Sequence, residues 1–216
     1  MSCVPAVARI PRLKICGLTR REDLLCAVEA GADALGLVFY PPSPRFVELP
    51  TAVALAAAVP PFISIVGLFV NAEPAQVRAT LAALPIHLLQ FHGDEDEAYC
   101  RQFERPYIKA ARVRPGMDLI QYAAGFPSAQ AILLDAFVEG YGGGGKVFDW
   151  ALVPDALGKP LILSGGLDAE NVAAAVRRLR PAAVDVSSGV EASKGIKDGA
   201  KIRAFAAALR ATGRAV

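Results

Sequence analysis

The stretch PLILSGGLDAENVAAAVRRLRPAAVDVSSG, residues 160–189, carries the pattern that decides the fold. An apolar run ends in Gly-Gly, a helical pattern follows, and a second apolar run ends in Ser-Ser-Gly. Short, nearly continuous apolar runs that alternate with helices are typical of parallel strands covered on both faces. The stretch therefore predicts one strand–helix–strand unit.

The same unit recurs along the whole chain. Strands are predicted at 13–17, 32–39, 62–70, 86–93, 107–113, 131–137, 160–166 and 183–189. Helices are predicted at about 20–30, 52–59, 74–84, up to 103, 117–124, near 149, 168–179 and 199–209.

Two closures fit such a pattern, an open doubly wound sheet and a closed barrel. Eight units in 216 residues favour the barrel, whose usual lower length limit is about 200 residues. The predicted fold class is α/β, a single (β/α)8 TIM barrel. No linker or low-complexity tract divides the chain, so residues 1–216 are predicted to form one domain.

Composition excludes several classes of protein. With 54% hydrophobic residues and a net charge of +2, disorder and a charge-driven nucleic-acid partner are not expected. The N-terminus lacks the apolar core of a signal peptide, and Pro60-Pro61 divide the uncharged segment 49–72 into a helix and a strand. Four cysteines without metal-ligand or CxxC spacing indicate free thiols. We therefore expect a cytoplasmic protein that binds neither nucleic acid nor a membrane.

The barrel prediction narrows the search for a site, because chemistry in this fold lies at the carboxyl ends of the strands. Gly165-Gly166 end the seventh strand and Ser187-Ser188-Gly189 end the eighth. Either motif alone would be read as a strand end. On neighbouring strands, their backbone N–H groups can converge on an anion, so together they predict a phosphate site.

Cys16 and Asp135 are the candidate base and acid, at the ends of the first and sixth strands. Lys14 shares a strand face with Cys16, and a nearby ammonium is expected to lower the pKa of the thiol. Asp135 ends an apolar strand, where a carboxylate is either paired structurally or partly desolvated. A buried, inert Cys16 is the alternative interpretation.

Two further strand-end residues point to binding. His92 is predicted to hydrogen-bond or pack near the mouth among the substrate-binding residues, and with only one other histidine no metal site is expected. Arg45, in a proline-fixed loop, could clamp a substrate carboxylate, although a bare loop arginine is more often solvated. Cys3, Cys26 and Cys100 are predicted to be bystanders.

Eight motifs, in family order from the first strand to the last, resemble phosphoribosylanthranilate isomerase, an enzyme of tryptophan biosynthesis. They are KICGLT (14–19), PPSPR (41–45), GLFVN (67–71), LLQFHGDE (88–95), LLDAF (133–137), FDW (148–150), ILSGGLDAENV (162–172) and VDVSSGVE (184–191). The resemblance covers nearly the whole chain. It implies a cofactor-free Amadori rearrangement of N-(5-phosphoribosyl)anthranilate to 1-(2-carboxyphenylamino)-1-deoxyribulose 5-phosphate.

By position, the resemblance also implies roles for individual residues. Asp135 would be the general acid that protonates the ribose ring oxygen, Cys16 the general base that removes the C2 proton, and Arg45 would face the anthranilate carboxylate. The implied phosphate site consists of Gly166, Ser187, Ser188 and Gly189, with Asp185 supporting it. One small phosphorylated molecule is the expected partner, bound by a monomer or a homodimer.

The sequence departs from the family pattern in two places. Gly144 stands where the family usually has a threonine, and Lys194 stands where a proline is common. Lys109 and Arg112 lie on the fifth predicted strand without an assigned role. Two other functions remain open: another phosphosugar barrel enzyme, and a non-catalytic barrel that binds a phosphorylated ligand.

Overall fold

Eight parallel strands close into a barrel in the computed structural model of this chain, which describes residues 10–136 and 148–213. The strands follow one another around the ring in chain order, and the first pairs with the eighth. This closure confirms the predicted (β/α)8 barrel and excludes the open doubly wound sheet.

The barrel strands are β1 Arg12–Cys16, β2 Ala34–Val38, β3 Ser64–Phe69, β4 Leu88–Phe91, β5 Tyr107–Val113, β6 Ala131–Ala136, β7 Leu161–Leu163 and β8 Ala183–Val186. The helices are α1 Arg21–Glu29, α2 Leu49–Ala56, α3 Pro74–Ala83, α4 Glu97–Arg101, α5 Leu119–Ala124, α6 Val172–Leu179 and α7 Gly199–Ala211. Proline at the first or second position helps α2 and α3 begin, since its missing N–H has no intrahelical partner there.

The strands are mostly apolar because both of their faces are buried. On β5, Ile108 and Ala110 pack inside the barrel with Leu133 of β6. Between them, Lys109 lies on the outward face, with its ammonium 5.6 Å from the Phe126 ring centroid in the layer between barrel and helices. Alternation between the two faces thus decides which strand-end residues point into the mouth.

Two connections are more detailed than the prediction. The short helix expected near residue 149 is a 3-10 turn at Trp150–Leu152. The segment after β8, predicted to be a loop, contains a 3-10 turn at Ser188–Val190 and an antiparallel hairpin of β9 Glu191–Ser193 and β10 Ile196–Lys197. Short segments of two or three residues give too little periodicity to be recognised.

The uncharged segment 49–72 divides as the prolines predict. It forms α2, a turn that contains Phe62 at φ +70°, and β3. Among the described residues, no helix is long and apolar enough to cross a membrane.

Candidate active site at the carboxyl end of the barrel

Cys16 lies at the end of β1 in a buried cluster of charge. Lys14, two residues earlier on the same face, is next to Asp185 of β8 in the strand register. The Lys14 ammonium donates to both carboxylate oxygens of Asp185, at 2.9 and 3.0 Å, and also hydrogen-bonds the Cys16 thiol. Lys14, Cys16 and Asp185 are therefore one buried group.

Gly36 of β2 makes the space that this group needs. It is the strand neighbour of Cys16, and a Cβ atom built on it would lie 2.7 Å from the Cys16 Sγ and 3.1 Å from the Lys14 Nζ. Any side chain at position 36 would force the thiol or the ammonium to move. An isolated glycine inside an apolar strand signals such a close approach, and this signal in ALGLV was available from the sequence.

The expected lowering of the Cys16 pKa is wrong for the substrate-free protein. Burial raises the pKa of the thiol above its ordinary value, and the Lys14 ammonium opposes that rise without reversing it. Asp185 raises the pKa of Cys16 further because a second negative charge nearby disfavours the thiolate. Lys14 is two residues from Cys16 in the sequence, whereas the burial of the thiol and the distant Asp185 become visible only in the fold.

Asp135 ends β6 within a chain of hydrogen bonds. Its Oδ1 accepts from the N–H of Ala136 at 2.9 Å, and its Oδ2 is 3.1 Å from the Nε2 of His92. The Nδ1 of His92 accepts from the Nε2 of Gln90 at 3.0 Å, which places the ring proton on Nε2, where it is donated to Asp135. His92 thus lies near the mouth, as predicted, and its ring is directed at Asp135.

Arg45 is buried, contrary to the solvated state that is usual for a loop arginine. Its Nε and NH2 groups donate to the two carboxylate oxygens of Glu191, at 2.7 and 2.8 Å. Its guanidinium also interacts electrostatically with Cys16 and Asp135. The charged end of Arg45 is therefore within electrostatic range of both candidate catalytic groups.

The loops after β7 and β8 come together as predicted. Gly189 lies so close to Leu167 that any side chain there would overlap the Leu167 carbonyl. Ser187 donates its hydroxyl proton to the Cys16 carbonyl at 3.0 Å, and the half-buried Ser188 and Gly189 follow in a 3-10 turn. Gly166 lies in the loop after β7, with φ +64°. Asp185, two residues before Ser187, faces Lys14 in the barrel interior.

The remaining sequence predictions concern residues outside this centre. Lys109 donates to the Gly93 carbonyl at 2.6 Å and to Glu95 at 2.9 Å, which ties the loop after β4 to β5. Arg112 forms an ion pair with Asp94 at 3.0 Å. Gly144 and Cys3 lie outside the described residues, whereas Lys194 lies in the turn between β9 and β10.

Cys26 and Cys100 are free thiols on α1 and α4, as predicted. Burial raises the pKa of Cys100 to about 12, so its thiol is unreactive at neutral pH. Within residues 10–136 and 148–213, no group of three or more His, Cys, Asp and Glu side chains is placed to hold a metal ion.

Comparison with known proteins gives one consistent result. Residues 13–208 match the family model described as N-(5'-phosphoribosyl)anthranilate (PRA) isomerase. A relative from Dechloromonas aromatica, named N-(5'-phosphoribosyl)anthranilate isomerase, is 66% identical over 199 residues, which are 92% of this chain and 96% of that protein.

Solved structures agree with the sequence comparisons. A phosphoribosyl anthranilate isomerase in complex with reduced 1-(o-carboxyphenylamino)-1-deoxyribulose 5-phosphate superposes with a TM-score of 0.83 at 38% identity, over 93% of this chain and 99% of that one. A monomeric form generated from the dimeric enzyme of Thermotoga maritima also has a TM-score of 0.83, at 37% identity and the same coverage of both chains.

Proposed function

Because this chain belongs to the N-(5'-phosphoribosyl)anthranilate isomerase family, we propose that Asp135 is the general acid and Cys16 the general base of its isomerase reaction. The chain acts in tryptophan biosynthesis and converts N-(5-phosphoribosyl)anthranilate to 1-(2-carboxyphenylamino)-1-deoxyribulose 5-phosphate. The observation that carries the assignment is that both groups lie on barrel strands that end at the mouth, with the Arg45 guanidinium interacting with each of them.

The reaction needs one proton donor and one proton acceptor. Protonation of the ribose ring oxygen lets the bond between C1 and that oxygen break, while the nitrogen lone pair forms a C1=N Schiff base. Removal of the C2 proton then sends its electron pair into a C1=C2 bond and the iminium electrons back to nitrogen. The enolamine takes up a proton at C1 while its 2-hydroxyl loses one, which gives the 2-ketone, so C1 is reduced and C2 oxidised within one molecule.

Asp135 suits the acid step because its surroundings stabilise the carboxylate that remains once the proton has left. The Ala136 N–H and the His92 Nε2–H each contact a different carboxylate oxygen. A charge-assisted hydrogen bond contributes about 1.5–3 kcal/mol, and here both donors are fixed before the reaction begins.

Cys16 suits the base step because it is a buried thiol beside an ammonium. Its raised pKa makes the thiolate, once formed, a stronger base than an ordinary cysteine. β1 and β6 are separated in the ring by β7 and β8, so the acid and the base come from different parts of the mouth. The sugar can therefore lie between them.

Binding is assigned to the two ends of the substrate. We propose that Arg45 faces the anthranilate carboxylate and that the phosphate site consists of Gly166, Ser187, Ser188 and Gly189, with His92 beside Asp135 at the sugar. Asp185 supports this region through Lys14, whose ammonium it holds beside Cys16.

A coupled assay tests this function. Because the substrate is labile, it is generated in place from anthranilate and phosphoribosyl pyrophosphate by the upstream transferase, and the purified chain is then added. We expect fluorescence to fall as the substrate is consumed. Unchanged fluorescence with active transferase present would mean that this chain is not the isomerase.

We further propose that the chain is one domain over residues 1–216, is cytoplasmic and forms a homodimer. The free thiols Cys16, Cys26 and Cys100 are typical of a reducing compartment. Phe62 is fully exposed in the turn before β3, at the end of the barrel opposite the site. Aromatic residues such as phenylalanine are enriched at protein–protein interfaces relative to the rest of the surface.

Light scattering of the purified chain, together with a Phe62→Ser variant, tests the homodimer. We expect the mass of two chains for the first and of one chain for the second, with isomerase activity present in both. A single-chain mass for the unaltered protein at all concentrations would exclude the dimer.

A further inference from the structure

The hairpin after the phosphate-site loops contacts the loops after β1 and β2 at the mouth. Its turn residue Gly195, at φ +81°, lies against the backbone of Pro44, where a Cβ atom would come within 2.6 Å of the Pro44 carbonyl oxygen. The Thr19 hydroxyl, in the loop after β1, donates to the carbonyl of Gly195. Glu191 at the start of the hairpin and Lys197 at its end are both buried. The hairpin is thus held from several sides.

Glu191 carries a buried negative charge that is fully paired. It accepts two hydrogen bonds from Arg45, and Lys197 donates to it at 2.9 Å. Burial alone would raise the pKa of Glu191, but the hydrogen bonds from Arg45 and the charge of Lys197 lower it below its ordinary value. Glu191 is therefore a carboxylate at neutral pH.

The pairing with Glu191 uses only one edge of the Arg45 guanidinium. A guanidinium has five N–H donors in a planar fork, and the Nε–H and one N–H of NH2 are directed at Glu191. Both protons of NH1 and the second proton of NH2 point away along the other edge. That edge has the spacing to bind a second carboxylate through two parallel hydrogen bonds.

Lys197 joins this arginine to the phosphate site. Its ammonium donates to the Ser187 carbonyl at 3.1 Å and lies 3.2 Å from the Ser187 hydroxyl, in addition to its bond with Glu191. One ammonium thereby connects the group that holds Arg45 with the loop assigned to the phosphate.

We propose that Glu191 is a positioning residue that fixes Arg45 so that its outer edge receives the aromatic carboxylate of the substrate, with Lys197 holding this clamp at a set distance from the phosphate site. The inference rests on the proposed role of Arg45. Without Glu191, the guanidinium would be free to rotate about its side-chain bonds. It would then lose this conformational entropy when the substrate binds, which would weaken binding.

Two ligands separate this role from a general structural one. The first is reduced 1-(2-carboxyphenylamino)-1-deoxyribulose 5-phosphate, and the second is the same molecule without the aromatic carboxylate. We expect Glu191→Gln to weaken binding of the first about tenfold, of the order of one charged hydrogen bond, and of the second less than about twofold. In the isomerase assay, Glu191→Gln should raise KM by a larger factor than it lowers kcat.

Glu95→Gln is the matched control. Glu95 is equally buried and paired with a lysine, but its partner Lys109 faces the outer layer of the barrel. This variant should leave the ratio of the two dissociation constants unchanged. That ratio does not depend on the folded fraction of a sample, so it can be read even from a destabilised variant, and Glu191→Asp gives a second measurement with the charge kept.

The outcomes distinguish the proposed role of Arg45 in carboxylate binding from the proposed positioning role of Glu191. If Arg45→Ala weakens both ligands equally, the assignment of Arg45 to the carboxylate is wrong. If Arg45→Ala weakens only the ligand with the carboxylate while Glu191→Gln and Glu191→Asp weaken both equally or neither, Arg45 keeps its role and the positioning role of Glu191 is overturned. Selective weakening by Arg45→Ala and Glu191→Gln supports both.

Discussion

The two sides of the barrel mouth hold their reactive groups in different ways. On the side of β1 and β8, Cys16 lies among ions, with Lys14, Asp185 and Lys197 all contributing to its electrostatic environment. On the side of β4 and β6, Asp135 lies at the end of a chain of hydrogen bonds from His92 and Gln90. Both groups are buried to a similar extent.

This difference matches the two tasks. A thiol becomes a base only after it loses its proton, so the charges around it decide how much thiolate exists. An acid that donates to a ring oxygen needs a fixed direction and a stabilised conjugate base, which neutral donors supply. We call the side of Cys16 the base side and the side of Asp135 the acid side. Substitutions that change a charge should therefore affect mainly the function of Cys16, and substitutions that remove a hydrogen bond should affect mainly that of Asp135.

The largest effects are expected from the two reactive groups themselves. Cys16→Ser keeps a side chain of similar size but replaces the thiol with a hydroxyl of much higher pKa, and Asp135→Asn keeps the shape without a proton to donate. Each should lower kcat by about 100-fold or more, the usual contribution of a general acid or base. The coupled fluorescence assay measures both.

Cys26→Ser is the matched control for the thiol, because Cys26 is a half-buried cysteine on α1 whose thiol contacts Gly199 and Arg203 of α7. It should retain nearly full turnover. Near-full turnover in Cys16→Ser or Asp135→Asn would instead show that the residue concerned takes no part in proton transfer.

The next largest effect is a shift of the pH profile by Asp185→Asn. In the unaltered chain, kcat/KM should rise with pH on the alkaline side, because the raised pKa of Cys16 keeps the thiol protonated below it. Asp185 raises that pKa, so its neutralisation should lower the pKa of Cys16 and move the rising limb to lower pH. The buried Lys14 loses its partner, so the free energy of unfolding should fall by about 3–5 kcal/mol.

Glu95→Gln separates the shift of the pH profile from the loss of stability. It breaks a comparable buried pair with Lys109, so the free energy of unfolding should fall by a similar amount while the rising limb stays in place. Kinetics from pH 6 to 10 and denaturant unfolding give the two readouts. If the rise of kcat/KM occurred at the same pH in Asp185→Asn as in the unaltered chain, the charge-based account of the base side would be contradicted.

The fold could be predicted from the sequence more completely than the candidate site. The barrel was predictable because eight apolar runs repeat one pattern over the whole chain. Cys16 and Asp135 became candidates because each is a reactive side chain at the carboxyl end of a predicted strand. These signals come from residues that are neighbours in the chain, so they can be recognised in a single sequence.

The partners of these residues were harder to predict. Glu191 and Arg45 are 146 positions apart, and Lys14 and Asp185 are 171 apart, so nothing local in the sequence pairs them. The error about the Cys16 pKa has two origins, the burial of the thiol, which is the larger, and Asp185, whereas only the lysine is close to Cys16 in the sequence. Gly36 was the exception, because a glycine inside an apolar strand is itself a signal.

The smallest effect is expected on the acid side, from Gln90→Met. The Oε1 of Gln90 is buried and has no hydrogen-bond partner, whereas its Nε2 donates to His92. Because the Gln90 amide donates to Nδ1, it keeps the ring proton of His92 on Nε2, where it is donated to Asp135. Methionine has a similar volume but offers no donor to Nδ1, so it no longer holds the His92 ring in this tautomer and orientation.

We therefore expect Gln90→Met to lower kcat about fivefold to tenfold, within the cost of one neutral hydrogen bond of about 1 kcal/mol. The free energy of unfolding should stay unchanged or rise slightly, because an unsatisfied buried oxygen is removed. The alkaline limb set by Cys16 should not move, in contrast to Asp185→Asn. If Gln90→Met instead moved that limb and left kcat unchanged, the division between a charge-controlled base side and a hydrogen-bonded acid side would be wrong.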